Sequence, residues 1–214
     1  TQVWGTAQGL PSMSVSVIAQ TPDGYLWVGT TEGLARFDGS RFFVFDRSNT
    51  PAFRLNEIRA LCVDRSGTLW VGFAGSGLAR REGDSFVAVA TPESGIFWIG
   101  EDARALWLAG EHGLWRRRGE DFENVALGTG SQAVASAMFD RSGAIWLGMI
   151  DGRIRVERPD GTFEQVSDPG DQGQPSKVWL DSDGRVSTFT AQVAWTRQGG
   201  SWERKRVSLP TGVG

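Results

Sequence analysis

The chain has 214 residues, 40% of them hydrophobic and 22% charged, so it can bury a core and does not have the composition of a disordered polymer. A net charge of −3 gives no basic footprint for nucleic acid, the single Cys62 excludes an internal disulfide, and no run approaches the ~20 apolar residues of a membrane helix. The 29 Gly and 10 Trp point instead to many tight turns between short, aromatic-rich strands.

In chain order, Gln2–Thr6 with Trp4 reads as a lone strand leading into Gly9-Leu10-Pro11. Ser14–Gln20 then alternates apolar and polar residues, which is strand periodicity. Pro22-Asp23-Gly24 is a turn, Tyr25–Thr30 a second strand, and Thr31-Glu32-Gly33 a second turn. Leu34–Phe37 is a third strand, Asp38-Gly39-Ser40 a hairpin turn, and Arg41–Phe45 a fourth strand.

This unit repeats. Asp23-Gly24-Tyr25-Leu26-Trp27-Val28-Gly29 aligns with Ser66-Gly67-Thr68-Leu69-Trp70-Val71-Gly72, with Ala103–Ala109 around Trp107, and with Ser142–Gly148 around Trp146. The Trp residues lie 43, 37 and 39 positions apart, and a weaker fifth copy at Asp183–Ser187 has Ser187 where the Trp should be. Four short strands in roughly 40 residues make one propeller blade. The fold class expected is therefore all-β: a β-propeller of four-stranded antiparallel blades, about five of them. The blades should span approximately 14–48, 57–90, 95–127, 132–167 and 176–209, with 1–7 as a lone outer strand of a single propeller domain. Trp27, Trp70, Trp107 and Trp146 are assigned a structural role, filling the wedge between adjacent blades. Cys62, within Ala60–Val63, reads as a small core residue.

The first copy resembles the two-component regulator propeller repeat. The resemblance rests on Gly9-Leu10-Pro11, Val15–Gln20, Asp23–Thr30, Glu32–Gly39 and Phe42–Phe45, and it is strong in copies one and two, fair in four and weak in three and five. It implies the extracytoplasmic sensor region of a bacterial membrane receptor, in the periplasm, tethered to the membrane only through segments absent from this chain. It further implies a seven-bladed design of which these blades are part, with a histidine kinase or diguanylate cyclase as output. A closed five-bladed ring and a ring assembled from two chains are the alternatives, and a homodimer is compatible with each.

Propellers generally bind at the mouth of the central channel, so the turns between second and third strands and the connections between blades supply the candidate ligand-binding residues. These are Thr31, Glu32, Ser76, Glu111, His112 and Asp151 from the turns, and Arg54 and Asn56, with Gln132, from the connections. The expected ligand is a small molecule, a carbohydrate or a peptide. A protein-interaction scaffold is the second reading, and a lyase or hydrolase the third.

No catalytic constellation is legible. His112 is the one histidine and sits in a turn, and one His with one Cys does not make a tetrahedral zinc site. Asp181-Ser182-Asp183-Gly184 lacks the acidic residue two positions earlier that a calcium loop requires. No metal, cofactor or nucleic acid is expected. Arg116-Arg117-Arg118 and Arg204-Lys205-Arg206 read as solvated strand edges.

Overall fold

Each recurring turn joins an antiparallel pair, and four strands joined in this way form one sheet. The computed structural model describes residues 3–75, 77–92, 95–166, 177–190, 193–198 and 201–205. It contains five separate four-stranded antiparallel sheets, each with its strands in sequential order, as propeller blades have. Blade 1 comprises β1 (Val15–Gln20), β2 (Leu26–Thr30), β3 (Gly33–Phe37) and β4 (Phe42–Phe45). Blade 2 comprises β5 (Ile58–Val63), β6 (Leu69–Phe73), β7 (Leu78–Glu82) and β8 (Ser85–Val89). Blade 3 comprises β9 (Ile96–Glu101), β10 (Leu106–Gly110), β11 (Gly113–Arg118) and β12 (Asp121–Val125). Blade 4 comprises β13 (Val134–Phe139), β14 (Ile145–Met149), β15 (Ile154–Glu157) and β16 (Phe163–Val166). Blade 5 comprises β17 (Lys177–Leu180), β18 (Val186–Thr190), β19 (Val193–Gln198) and β20 (Ser201–Lys205). The chain divides into two compact units, residues 1–125 with blades 1 to 3 and residues 126–214 with blades 4 and 5.

The turn between the first and second strands has the same construction in blades 1, 2, 4 and 5. In blade 2 the Asp64 amide donates to the Thr68 carbonyl and the Gly67 amide returns to the Asp64 carbonyl; Thr21, Asp140 and Asp181 repeat the pattern. The Asp64 carboxylate closes the turn by accepting the amides of Ser66 and Thr68, at 2.9 Å each. It also receives the indole Nε1–H of Trp70 at 2.8 Å, and Asp140 receives that of Trp146 at 2.8 Å. One short side chain thus satisfies the turn backbone and the polar edge of a buried ring. That pairing explains how an indole can sit deep in the core without an orphaned donor. In blade 1 the hydroxyl of Thr21 takes the carboxylate's place, accepting from Trp27 at 2.9 Å.

The run Leu-Trp-Val-Gly presents alternate residues to opposite faces of the sheet. In unit 1, Trp27 reaches forward into blade 2, among Phe53, Ile58, Val71 and Phe86, while Trp70 packs against Ile96, Leu106 and Leu108 of blade 3. In unit 2, Trp146 packs against Val178 and Val186 of blade 5. Trp27, Trp70 and Trp107 are at most 1% exposed and Trp146 is 6% exposed, which places the four indoles inside, as their strand-centre positions predict. The glycine two residues after the indole lets the next blade approach. A Cβ on Gly72 would stand 2.7 Å from Ile96 Cγ2, and one on Gly29 would stand 2.8 Å from Ile58 Cγ2.

An arginine from the following blade's third strand completes this contact. Arg81 lies over Trp27 with 5.1 Å from guanidinium carbon to ring centroid, Arg117 over Trp70 at 5.0 Å, and Arg197 over Trp146 at 5.1 Å. The expectation that Arg116–Arg118 form a solvated edge is therefore corrected at its centre. Arg117 covers a neighbouring indole, and its charge is kept at the rim by Glu120 at 3.1 Å, while Arg118 pairs with Glu123. Arg204 is exposed, whereas Arg206 lies outside the described residues.

A second correction concerns the N-terminal strand. Thr1 and Gln2 lie outside the described residues, and Val3–Ala7 contain no strand; a 3-10 helical turn occupies Thr6–Gln8. Trp4 instead meets Phe37 edge-on with ring centroids 4.6 Å apart and Phe42 at 6.0 Å, while Leu10 packs on Val28 and Ala35. The segment covers the rear apolar face of blade 1. Covering that face satisfies its need to leave water without any ladder hydrogen bonds.

Candidate functional site

By strand register, the turn after the second strand, the end of the fourth strand and the start of the first all lie at one end of a blade. A repeated hydrogen bond fixes that end. The amide after the second strand donates to the carbonyl just before the first: Thr31 to Ser14, Ala74 to Glu57, Glu111 to Gly95, and Ile150 to Ala133. Each first strand of blades 1 to 4 also carries a register irregularity at this end, beside Ser16, Arg59, Phe97 and Ala135 respectively. Bulges re-aim side chains and recur next to functional sites. Ser16 Oγ donates to the Ile58 carbonyl of the next blade at 2.5 Å, and the Arg59 guanidinium lies 5.9 Å from the Phe97 ring centroid.

On this frame the candidate residues separate. Thr31 and Glu32 are exposed; the Thr31 hydroxyl meets Ser12 at 3.1 Å and the Glu32 amide is held by Thr30 Oγ1. Asn56 is turned to the scaffold, its Oδ1 accepting the Arg47 amide at 3.0 Å and so bracing the long connection from blade 1 to blade 2. Glu111 and His112 are exposed at the β10–β11 turn. In unit 2, Asp151 accepts the Arg153 amide at 3.2 Å, which is local turn chemistry. Gln132 likewise spends its amide on the carbonyls of Gly128 and Gly130. Ser76 lies outside the described residues.

Arg54 stands apart from these. It lines an open cavity of about 470 Å³ in unit 1, together with Ala52, Phe73, Leu78, Val89 and Pro92. Two connections build the walls, the one entering blade 2 and the one leaving it, and the floor is the start of β7. Among the described residues of that lining Arg54 is the only one with an ionisable side chain, and it takes part in none of the ion pairs among the described residues. The sequence pointed to Arg54 through its place in a connection. It gave no sign of the Phe73 and Val89 walls, because those are strand ends whose exposure depends on the neighbouring loop.

The titratable groups elsewhere serve the frame. Partial burial works against ionisation of Asp64, but hydrogen bonds from Ser66, Trp70 and the turn amides outweigh it and hold the carboxyl below its ordinary value; Asp140 behaves alike with Ser142 and Trp146. Burial pushes the Cys62 thiol up to about 11, helped by the charges of Glu101 and Asp64, so it is no nucleophile at neutral pH. No group of three or more His, Cys, Asp or Glu side chains is placed to hold a metal ion among the described residues.

Comparisons with known proteins agree with this architecture. The chain has a TM-score of 0.80 and 20% identity to the extracellular domain of a hybrid two-component system from B. thetaiotaomicron, covering 94% of this chain and 31% of that one. A second such domain from the same organism gives a TM-score of 0.65 and 17% identity, covering 95% and 34%. A catalytically inactive histidine-to-alanine variant of virginiamycin B lyase from Staphylococcus aureus, with quinupristin, gives 0.77 and 15%, covering 94% and 73%. At these identities the likeness is one of fold, and the chain spans about a third of the length of the two-component domains. A search of curated proteins finds no match to the sequence. The model of the two-component regulator propeller repeat matches residues 9–32 and 52–75, the entry segments and first two strands of blades 1 and 2. The chain thus carries the two-component regulator propeller repeat in blades 1 and 2 and the same four-stranded sheet in all five blades.

Proposed function

We propose that the chain is an extracytoplasmic, non-catalytic recognition module of a bacterial signal-transduction receptor, working in the periplasm. The observation that carries this reading is the division of labour within unit 1. Turn aspartates, indoles and glycines repeat from blade to blade, while the loop-end residues change at every copy, and one of them, Arg54, faces a cavity of about 470 Å³. A constant frame with varied loop residues suits recognition. Similarity in fold to the extracellular domains of two-component systems supports the receptor context.

Similarity in fold to virginiamycin B lyase raises catalysis as the competing reading. Chemistry based on a histidine would fall to His112, the single histidine, which is exposed on the β10–β11 turn. The non-catalytic reading predicts that H112A leaves any detected ligand binding unchanged and that no turnover of the bound ligand occurs.

Calorimetric titration of the chain against oligosaccharide fragments and short peptides tests the proposal. Saturable heat that disappears in A88F, whose ring would occupy the cavity mouth, is the expected result. Silence across the panel from protein with a cooperative melt would overturn it.

A further inference from the structure

We infer that the unit 1 cavity recognises a carboxylate carried on a compact apolar body. This inference rests on the recognition reading above and specifies its chemistry. The argument starts from the wall. Phe73 is 1% exposed overall and Leu78 is 2% exposed, so the cavity reaches down to the hydrophobic core of blade 2. Ala52, Val89 and Pro92 extend the apolar lining toward the mouth. A polyhydroxylated sugar entering such a pocket would lose water from its hydroxyls with few partners to replace it, whereas an alkyl or aryl group gains from the burial.

Arg54 supplies the polar term. Among the described lining residues it is the one charge, it is exposed, and no carboxylate among the described residues neutralises it. A guanidinium presents paired donors in a planar fork that matches the two oxygens of a carboxylate. Neighbouring carboxylates that could compete are engaged elsewhere. Glu57 is paired with Arg59 at 2.6 Å, and Asp46 accepts the amides and hydroxyl of its own turn, from Ser48 and Asn49. Asn56, two residues beyond Arg54, fixes the connection by accepting the Arg47 amide. The size of the cavity falls within the range of small-molecule sites.

The same chemistry could be offered by a free organic acid or by a peptide-like acid, and two probe pairs separate them. 4-Phenylbutyrate and 4-phenylbutyramide share shape and differ in charge, as do N-acetylleucine and its amide. Titration of the intact chain should show saturable binding of an acid and a loss of roughly tenfold to a hundredfold for its amide. R54Q should reduce acid binding by a similar factor without changing the melting temperature, and R54K should fall between the two. If phenylbutyrate binds and acetylleucine does not, the source is an organic acid, and the reverse points to a peptide-like acid. Equal binding of acid and amide, or acid binding that survives R54Q, would overturn the carboxylate assignment while leaving recognition at this cavity intact. Silence of both acids from folded protein overturns the assignment outright, and the oligosaccharide and peptide panel then decides whether the recognition reading survives.

Discussion

Blades 2 and 5 share a turn and a sheet but not a forward face. In blade 2, Trp70 and Gly72 occupy adjacent positions on the side turned to blade 3, the indole buried and the glycine in contact range of Ile96. In blade 5 the same two register positions hold Ser187, whose hydroxyl pairs with Thr196 at 2.9 Å, and Phe189, which is 41% exposed. Yet blade 5 still forms four antiparallel strands, and Asp181 still closes its first turn by accepting the amides of Asp183 and Arg185. The Trp-x-Gly pair is therefore not what makes a blade fold. It makes one blade stack on the next, while turn chemistry and strand pairing make the blade itself.

Several substitutions sharpen this contrast. The largest effect should come from W70A, which empties a buried wedge between blades 2 and 3 and should cost ~3–5 kcal/mol in urea denaturation, against about 1 kcal/mol for S187A in blade 5. Equal costs at the two positions would break the distinction between stacking and folding residues. G72A comes next. Its Cβ would stand 2.7 Å from Ile96 Cγ2, so the blades must shift, at a cost of ~1–3 kcal/mol, and I96A in the same chain should recover part of that loss. A fully additive double mutant would show that the clash lies elsewhere.

R117A removes the guanidinium over Trp70 and should destabilise by ~0.5–2 kcal/mol, more than R118A, whose pairing with Glu123 is exposed. Thermal melts of the two variants side by side give the comparison. The smallest effect concerns acid. Asp64 and Asp140 have carboxyls held below the ordinary value near 3.8, so their contribution is complete above about pH 4 and is lost as pH falls through the depressed value. D140N keeps an oxygen for the indole and removes the titration. Its urea midpoint should therefore decline less steeply than that of the parent chain between about pH 4 and pH 2, with the two converging in sensitivity above pH 5.

Much of the fold was legible in the residues because it is written in short-range terms. Alternation at Val15, Val17 and Ala19, the Asp-Gly turns, and the recurrence of Trp27, Trp70, Trp107 and Trp146 are sufficient to count blades and to bury the indoles. The same short-range terms misplace Trp4. A short apolar segment near an end looks like a strand, and only the bare rear face of blade 1 shows that it packs by its side chains. The Asp64–Trp70 and Asp140–Trp146 pairs share a constant spacing, but the spacing alone does not assign the bond, because an aspartate in a turn already has a sufficient local explanation. Among the candidate site residues, Arg54 lines a cavity whereas Asn56 and Asp151 are occupied with their own loops, a distinction that depends on side-chain direction.

What the amino-acid sequence settles unaided is the blade: its four strands, its turns, and the residue types that alternate between its faces, since all of these follow from backbone geometry and periodicity within some 40 residues. What only the tertiary structure decides is which groups from separate blades and connections meet. Arg117 finds Trp70, Gly72 admits Ile96, and Arg54 comes to share a cavity with Phe73 and Val89. Those meetings depend on how sheets lie against one another, and no local rule on turns or periodicity specifies that packing.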